Sequence, residues 1–532
     1  MLPGVFTHTR ANLLRRRALT AYKRGSTMGA HLMPGIPLYL YYIAVVCVMF
    51  VSFVLFMKSP IKPQTIPQYR TIDLLQWRWS KRFIESRISQ TVLRLITVFL
   101  FIVIVIAGLF GVQDPRINIS TTLTWTIWWI TLIIFILFAG KFWCYMCPWD
   151  AIATWIDKLH LWKVKESVFS LSKRCPKQLR NIYLATALFL GLTWLELGWG
   201  VTGKPAITAY LALLILLMAI VSVLIFDRKS FCRYGCLIGR ISGLYALIAP
   251  IEVRARDKRI CVACKTKDCL KGNPRGYPCP TYQYLGKMEK NTYCIMCMEC
   301  IRACQKHNAT LRLRPFGADL LKISQARTDE AALVLIMLAK TSFHGLTMTP
   351  LWYALTGWLE AWLKVSYTVA FTLGMTAALL AIGLFYTLVI TTTWLLIHKA
   401  IALGDMLITY AYCLLPIALF YHLAHNTMHF AMEGGKIVSA ISDPFGFGWN
   451  LVGTASLSPG PLLPLPLVWL LQVFFIVIGH VWSLYIGHHT AAFFFGAKQS
   501  SKAEWPIFVA MVVYSVLSLY LIAQPMAMRT SL

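Results

Sequence analysis

The residues best suited to chemistry are cysteines, and eight of the chain's 15 stand in one stretch. The order is Cys261-x2-Cys264-x4-Cys269-x9-Cys279-Pro280, then Cys294-x2-Cys297-x2-Cys300-x3-Cys304. The second run has the bacterial ferredoxin spacing, in which three close cysteines grip one cubane cluster and the fourth reaches its neighbour. By that logic Cys261, Cys264, Cys269 and Cys304 hold one 4Fe–4S cluster. Cys294, Cys297, Cys300 and Cys279 hold a second. Short spacers suit this chemistry because the loop must wrap a cube while backbone N–H groups face its sulfurs. Pro280 follows a fourth ligand in the usual way, whereas Gln305 departs from that pattern. Structural zinc is the competing chemistry for a tetrathiolate, but eight interleaved cysteines argue for clusters. Disulfides suit an oxidising compartment, and this segment reads as cytoplasmic. Two clusters so close form an electron wire rather than a catalytic centre.

A second set of thiols lies at the ends of apolar runs: Cys144 and Cys147 before Pro148, and Cys232 and Cys236 before Leu237. If both ends face the same side, four thiols can meet in a soft-metal or redox site. The alternative is separate buried cysteines packed at helix ends. Cys47, Cys175 and Cys413 are isolated and read as structural.

Histidines form a third candidate group. His422, His425 and His429 are spaced i, i+3 and i+7, one helix face, and His480, His488 and His489 fall on the next apolar run. Ionisable residues inside a membrane are costly and point to function. Antiparallel helices place His422 level with His480, which permits a bis-His b-type haem, with His425 as substitute for the first. Copper is the other metal reading, with Met428 and Met432 nearby. The plain alternative is hydrogen bonding between helices. Glu196 could take a quinol proton, although a helix-end acid facing headgroups is the simpler account.

These residues must be positioned by membrane helices. The 532 residues are 58% hydrophobic and 14% charged, with 51 Lys and Arg against 21 Asp and Glu, a net charge of +30. Average chains are about a quarter charged. A soluble globule is excluded by the hydropathy, and a nucleic-acid-binding protein does not explain the apolar runs. A span needs about 20 apolar residues. Ten runs qualify, near 36–57, 91–112, 121–140, 179–201, 205–226, 331–352, 366–397, 406–432, 466–495 and 505–526. Lys340 and His344 make the 331–352 run the weakest. The 254–314 segment alone carries 14 Lys or Arg against four acids, which places it in the cytoplasm. The basic N-terminal arm then falls on the opposite side, a conflict with the same rule. It does not read as a signal peptide, because the apolar run after it is long enough to span. The Gly- and Pro-rich 433–465 stretch should lie outside, as a docking surface or a long connector.

The fold expected is therefore an all-α polytopic membrane protein with an inserted α+β two-cluster ferredoxin module. It divides into a basic arm, first span and amphipathic loop (1–90), a four-helix core with both Cys pairs (91–250), the module (251–330) and a C-terminal helical domain with the histidines (331–532).

Over roughly 90–316 this arrangement resembles the NosR/NapH family of membrane polyferredoxins, which includes the CcoG oxidase-assembly proteins. The likeness rests on a Cys-x2-Cys-Pro motif ending a helix, a second Cys pair, then the two-cluster module. Two residues separate the first pair where the family commonly has three, and Leu237 stands where Pro is common. The resemblance implies an integral membrane electron-transfer subunit of a prokaryotic inner membrane. It would relay electrons between a quinone pool or membrane haem and other subunits of a respiratory complex, such as cytochromes. The alternative it implies is a CcoG-like assembly factor that reduces copper. Membrane lipid is an expected partner and nucleic acid is not.

Overall fold

A computed structural model describes residues 38–58, 69–321, 326–398, 401–457 and 459–524. The basic arm at 1–37 lies outside the described residues. Among those described, seven helices are long and apolar enough to cross a membrane: Arg87–Phe110, Ile119–Lys158, Pro205–Ile225, Tyr367–Leu396, Leu403–Ser442, Leu465–Gly496 and Lys502–Ala523. The protein is a multi-pass membrane protein.

The helices used below are α1 (Leu38–Lys58), α2 (Arg87–Phe110), α3 (Trp129–Ala139), α4 (Pro148–Lys158), α5 (Tyr183–Leu197), α6 (Pro205–Ile225), α7 (Leu237–Tyr245), α8 (Thr328–Thr347) and α9 (Leu415–Glu433). Their ends follow local chemistry. The Ser86 hydroxyl caps α2 by accepting from Ser89 N, and Pro opens α4 and α6, where its missing N–H costs nothing. Gly140, at φ +58°, turns the chain out of α3. That conformation is open to glycine and awkward for other residues.

The count differs from ten for identifiable reasons. The 331–352 run is not one rod: α8 and Pro350–Leu363 meet at 88°. Pro350 cannot continue α8 and instead begins the second helix. Counting the bent pair as one gives eight. α5 has 15 residues, about 22 Å of helix, short of a 30 Å hydrocarbon layer. α1 packs against the Leu465–Ala523 region, near the other end of the chain, with Ala44 and Val48 buried. Between α1 and α2, Arg78–Glu85 is a short helix whose Trp79 and Phe83 are exposed beside basic residues, the pattern of a helix lying along a membrane surface.

The sheet has three antiparallel strands in the order β1 (Ile72–Asp73), β3 (Ala309–Leu313), β2 (Ile251–Ala255). β2 and β3 pair from Ile251↔Leu313 to Ala255↔Ala309, so they bracket the cysteine-rich segment. The third strand is a departure from a wholly inserted module, because Ile72–Asp73 comes from before the first core helix. Its Asp73 accepts from Arg256 at 2.7 Å and also from Thr310.

An ion cluster, buried except for Arg312 at its edge, fixes the base of this segment. Glu252 contacts Arg314 at 2.9 Å and Arg312 at 2.7 Å, and Asp319 contacts Arg254 at 3.2 Å and also Arg314. Arg254 and Arg314 hold the Asp319 carboxyl below the usual carboxylate range, against the desolvation of its burial.

The Gly- and Pro-rich stretch after α9 folds back on the membrane half. Leu462 N donates to Ala431 O at 2.7 Å, and Val112 N to Phe445 O at 2.8 Å. It is thus a packed cap over these helix ends.

Candidate functional site

The cysteine-rich segment folds into short helical turns joined by loops with left-handed residues. Met296 and Met298 sit at φ +49° and +63°. Such backbone is uncommon outside glycine and lets a chain wrap tightly. Cys279, Cys294, Cys297 and Cys300 line one small cavity, with Val253, Thr281 and Met288 in its wall. Gln283 N donates to Cys279 Sγ at 3.1 Å. Two of the other four thiols meet at Asn308, which donates to Cys261 Sγ at 3.1 Å from its side chain and to Cys304 Sγ at 3.3 Å from its backbone. Lys267 N donates to Cys264 Sγ at 3.4 Å.

Electrostatics link these sulfurs. Burial, then the neighbouring Cys261, Cys304 and Cys279, push the Cys269 thiol up to about 11. Burial and then Cys279 push Cys294 up to about 11. Cys300 is raised far above its ordinary value by burial, then by Cys297, Cys294, Cys279 and Cys269. Cys264 runs the other way, lowered by the Thr266 hydroxyl and the Lys267 N–H. Thiols this close and this buried ionise together only around a positive centre, which takes the place of their protons. Clustered thiols met by N–H donors suit iron–sulfur chemistry.

The thiols are held against the membrane helices by charge. Glu299, between Cys297 and Cys300, pairs with Arg87 of α2 at 2.7 Å and Arg302 at 2.8 Å. These arginines hold Glu299 below its usual range despite its burial. Arg302 also donates to Gln90 of α2 at 2.9 Å.

The edge cysteines are near enough to feel one another's charge, although no three of their sulfurs converge within 4.8 Å among the described residues. Cys232 is raised by burial, by Asp150, then by Cys236 and Cys147, while Cys236 is pushed up to about 11 by burial and then by Cys144. Both pairs end the same way. Cys147 leads into α4, and Cys236 caps α7, its sulfur accepting from Gly239 N at 3.2 Å. Leu237 therefore fills the first helical position that Pro148 fills in the other motif. Asp150 binds the set into the frame, at 3.0 Å from Arg94 and 2.6 Å from Lys229.

The edge thiols lie directly beneath the module. Tyr145, between the first pair, is fully buried in the core formed by Val253, Leu285, Met298 and Leu311. Its carbonyl accepts from Gln90 and Arg94, both at 3.2 Å. Lys141 donates to Thr292 O at 3.4 Å, two residues before Cys294. A Cβ on Gly243 would collide with that same carbonyl. Spacing reasoning finds the thiols but not Tyr145, Lys141 or Gly243, which carry no ligand signature.

The histidines are arranged differently from the sequence expectation. His422 faces Tyr245, with Nδ1 at 3.4 Å from the phenol, and Trp129. His480 contacts the Ser52 hydroxyl with one ring nitrogen and the Ser515 hydroxyl with the other, the latter at 2.6 Å. These contacts do not bring His422 and His480 together. His425 and His429 instead meet His344 of α8. Glu196 does not face headgroups. It pairs with Lys340 at 3.3 Å, and both side chains are buried. The two residues that weaken the 331–352 run thus both have polar company.

No family model matches the chain, and no solved structure matches it. Over 80 residues it is 30% identical to "Putative electron transport protein YccM" of Escherichia coli (strain K12), a match covering 15% of this chain and 20% of that protein. The chain thus matches about a fifth of the length of that curated relative.

Proposed function

We propose that this chain is a membrane electron-transfer subunit holding two 4Fe–4S clusters. Cys261, Cys264, Cys269 and Cys304 hold one, and Cys279, Cys294, Cys297 and Cys300 the other. The observation that carries the reading is the pair of four-sulfur sets on one ion-paired frame at the ends of apolar helices. The name of the partial relative, which speaks of electron transport, points the same way. Bound clusters supply one-electron redox chemistry without making or breaking bonds in a substrate. The chain's task is then to hold and screen them. Asn308, Gln283 and Lys267 donate to sulfurs, Met288 and Leu285 exclude water, and Arg87 and Arg302 neutralise Glu299. The positive charge of the module is suited to cytoplasmic placement and to an acidic soluble partner. A quinone pool or membrane haem would supply the membrane-side electrons, and a respiratory complex the other partner.

The test is EPR of the reduced, purified chain with iron analysis. Two interacting 4Fe–4S signals and about eight irons per chain are expected. Iron far below that would overturn the reading.

The charge coupling among Cys144, Cys147, Cys232 and Cys236 motivates one second reading, a CcoG-like copper-reducing assembly factor. Four thiols suit cuprous ion, and Tyr145 and Lys141 tie them to the module that would supply electrons. Stoichiometric copper lost in Cys144→Ser or Cys232→Ser supports it. Undiminished copper in both variants rejects it.

A further inference from the structure

Three imidazoles from two helices meet within the membrane half. His344 lies near the end of α8, while His425 and His429 are one turn apart on α9. They are 8%, 2% and 2% exposed. Each offers a ring nitrogen within 4.8 Å of the others. Ring centroids are 4.2 Å apart for His344 and His425, 5.2 Å for His425 and His429, and 6.1 Å for His344 and His429. Around a tetrahedral ion with bonds of about 2.0–2.1 Å the nitrogens would stand about 3.4 Å apart, so closing on a metal asks for ring rotations rather than helix movement.

The two helices run side by side from the module. The Tyr412 hydroxyl joins their starts, accepting from Arg327 N at 3.1 Å and donating to Glu330 at 2.5 Å. His344 is then about 24 Å along α8 from Thr328, far from the thiols. Burying three imidazoles is costly unless the group is used. His480, outside this group, has both ring nitrogens on serine hydroxyls. The three rings of the cluster also lie close to one another.

One charge nearby suits a cation, and another is neutralised. Glu433 lies 3.9 Å from His429 Nδ1, where carboxylates orient metal-ligating histidines. Lys340, one turn before His344, would oppose a cation, but it is paired with Glu196.

We propose that His344, His425 and His429 form a binding site for one first-row divalent cation of the zinc(II) or copper(II) class. Neutral imidazoles with a carboxylate behind them suit such ions, whereas the thiol sets suit softer ones. The proposal stands independently of the iron–sulfur reading.

The test uses the full chain in detergent, loaded with zinc(II) and then freed of excess. Wild type and His480→Ala should each retain one zinc per chain more than His344→Ala or His429→Ala. Zinc held by thiols is common to all four and cancels in the comparison. X-ray absorption at the zinc edge should give wild type a nitrogen shell at about 2.0–2.1 Å, lost in the two variants, beside any sulfur at about 2.3 Å. Equal zinc in all four proteins would overturn the proposal. If His344→Ala or His429→Ala fails to fold, the wild-type spectrum decides alone, and a shell of sulfur only is then the overturning result.

Discussion

Lys340 Nζ lies 3.3 Å from Glu196 Oε2, joining α8 to α5 where both side chains are buried. Removing one partner of a buried pair leaves the other as an uncompensated charge. Lys340→Met is therefore expected to destabilise the chain by about 3–5 kcal/mol. The double variant Lys340→Met/Glu196→Gln should recover most of that loss. Thermal unfolding of the four proteins in one detergent gives the cycle, and additive single losses would deny the pairing.

Gly243 leaves the space that the Thr292 carbonyl occupies beside Lys141. Gly243→Ala should push the loop before Cys294 outward, at a cost of about 1–3 kcal/mol. On the proposed function it should also lower iron content at the second sulfur set. Gly191, which has open space around it, is the control. Its Ala variant should keep full iron.

The Asp319 carboxyl is held below the ordinary range by Arg254 and Arg314. Its folded value lies below its unfolded one, so its contribution is complete above about pH 4 and is lost as pH falls through the folded value. Asp319→Asn should cost about 3–5 kcal/mol at neutral pH. It should also flatten the acid side of a plot of melting temperature against pH. An unchanged acid limb would contradict this.

Asn308 donates to Cys261 Sγ at 3.1 Å. A hydrogen bond to a ligating sulfur favours the more negative, reduced state of a cluster. Asn308→Ala should lower the potential of the first cluster on the order of 60 mV, the one-electron equivalent of about 1.4 kcal/mol. Redox titration followed by EPR reads it, and a shift confined to the second cluster would contradict the ligand grouping.

Much of this arrangement is legible in the chain itself. Apolar runs mark the helices because a hydrocarbon layer requires length and composition alone. The cysteine spacing marks the module because a compact ligand set needs short loops. What is hidden is long-range. Nothing near Ile72 announces that it pairs with Leu313. The His422 and His480 pairing assumes that adjacent runs pack as neighbours with facing histidines, whereas Tyr245 and the serines hold those rings. His344 reads as a flaw in an apolar run because its companions, His425 and His429, stand 81 and 85 residues away. The bend at Pro350 is signalled by the proline, but the length of the run masks it.

The edge strand also sets an order of events during synthesis. Ile72 leaves the ribosome 241 residues before its partner Leu313. At about 5–20 residues per second that interval is on the order of 10–50 s. Several apolar helices enter the bilayer meanwhile. The first strand of the sheet must wait at the membrane surface, and the sulfur-bearing loops are made before the strand that pairs with it.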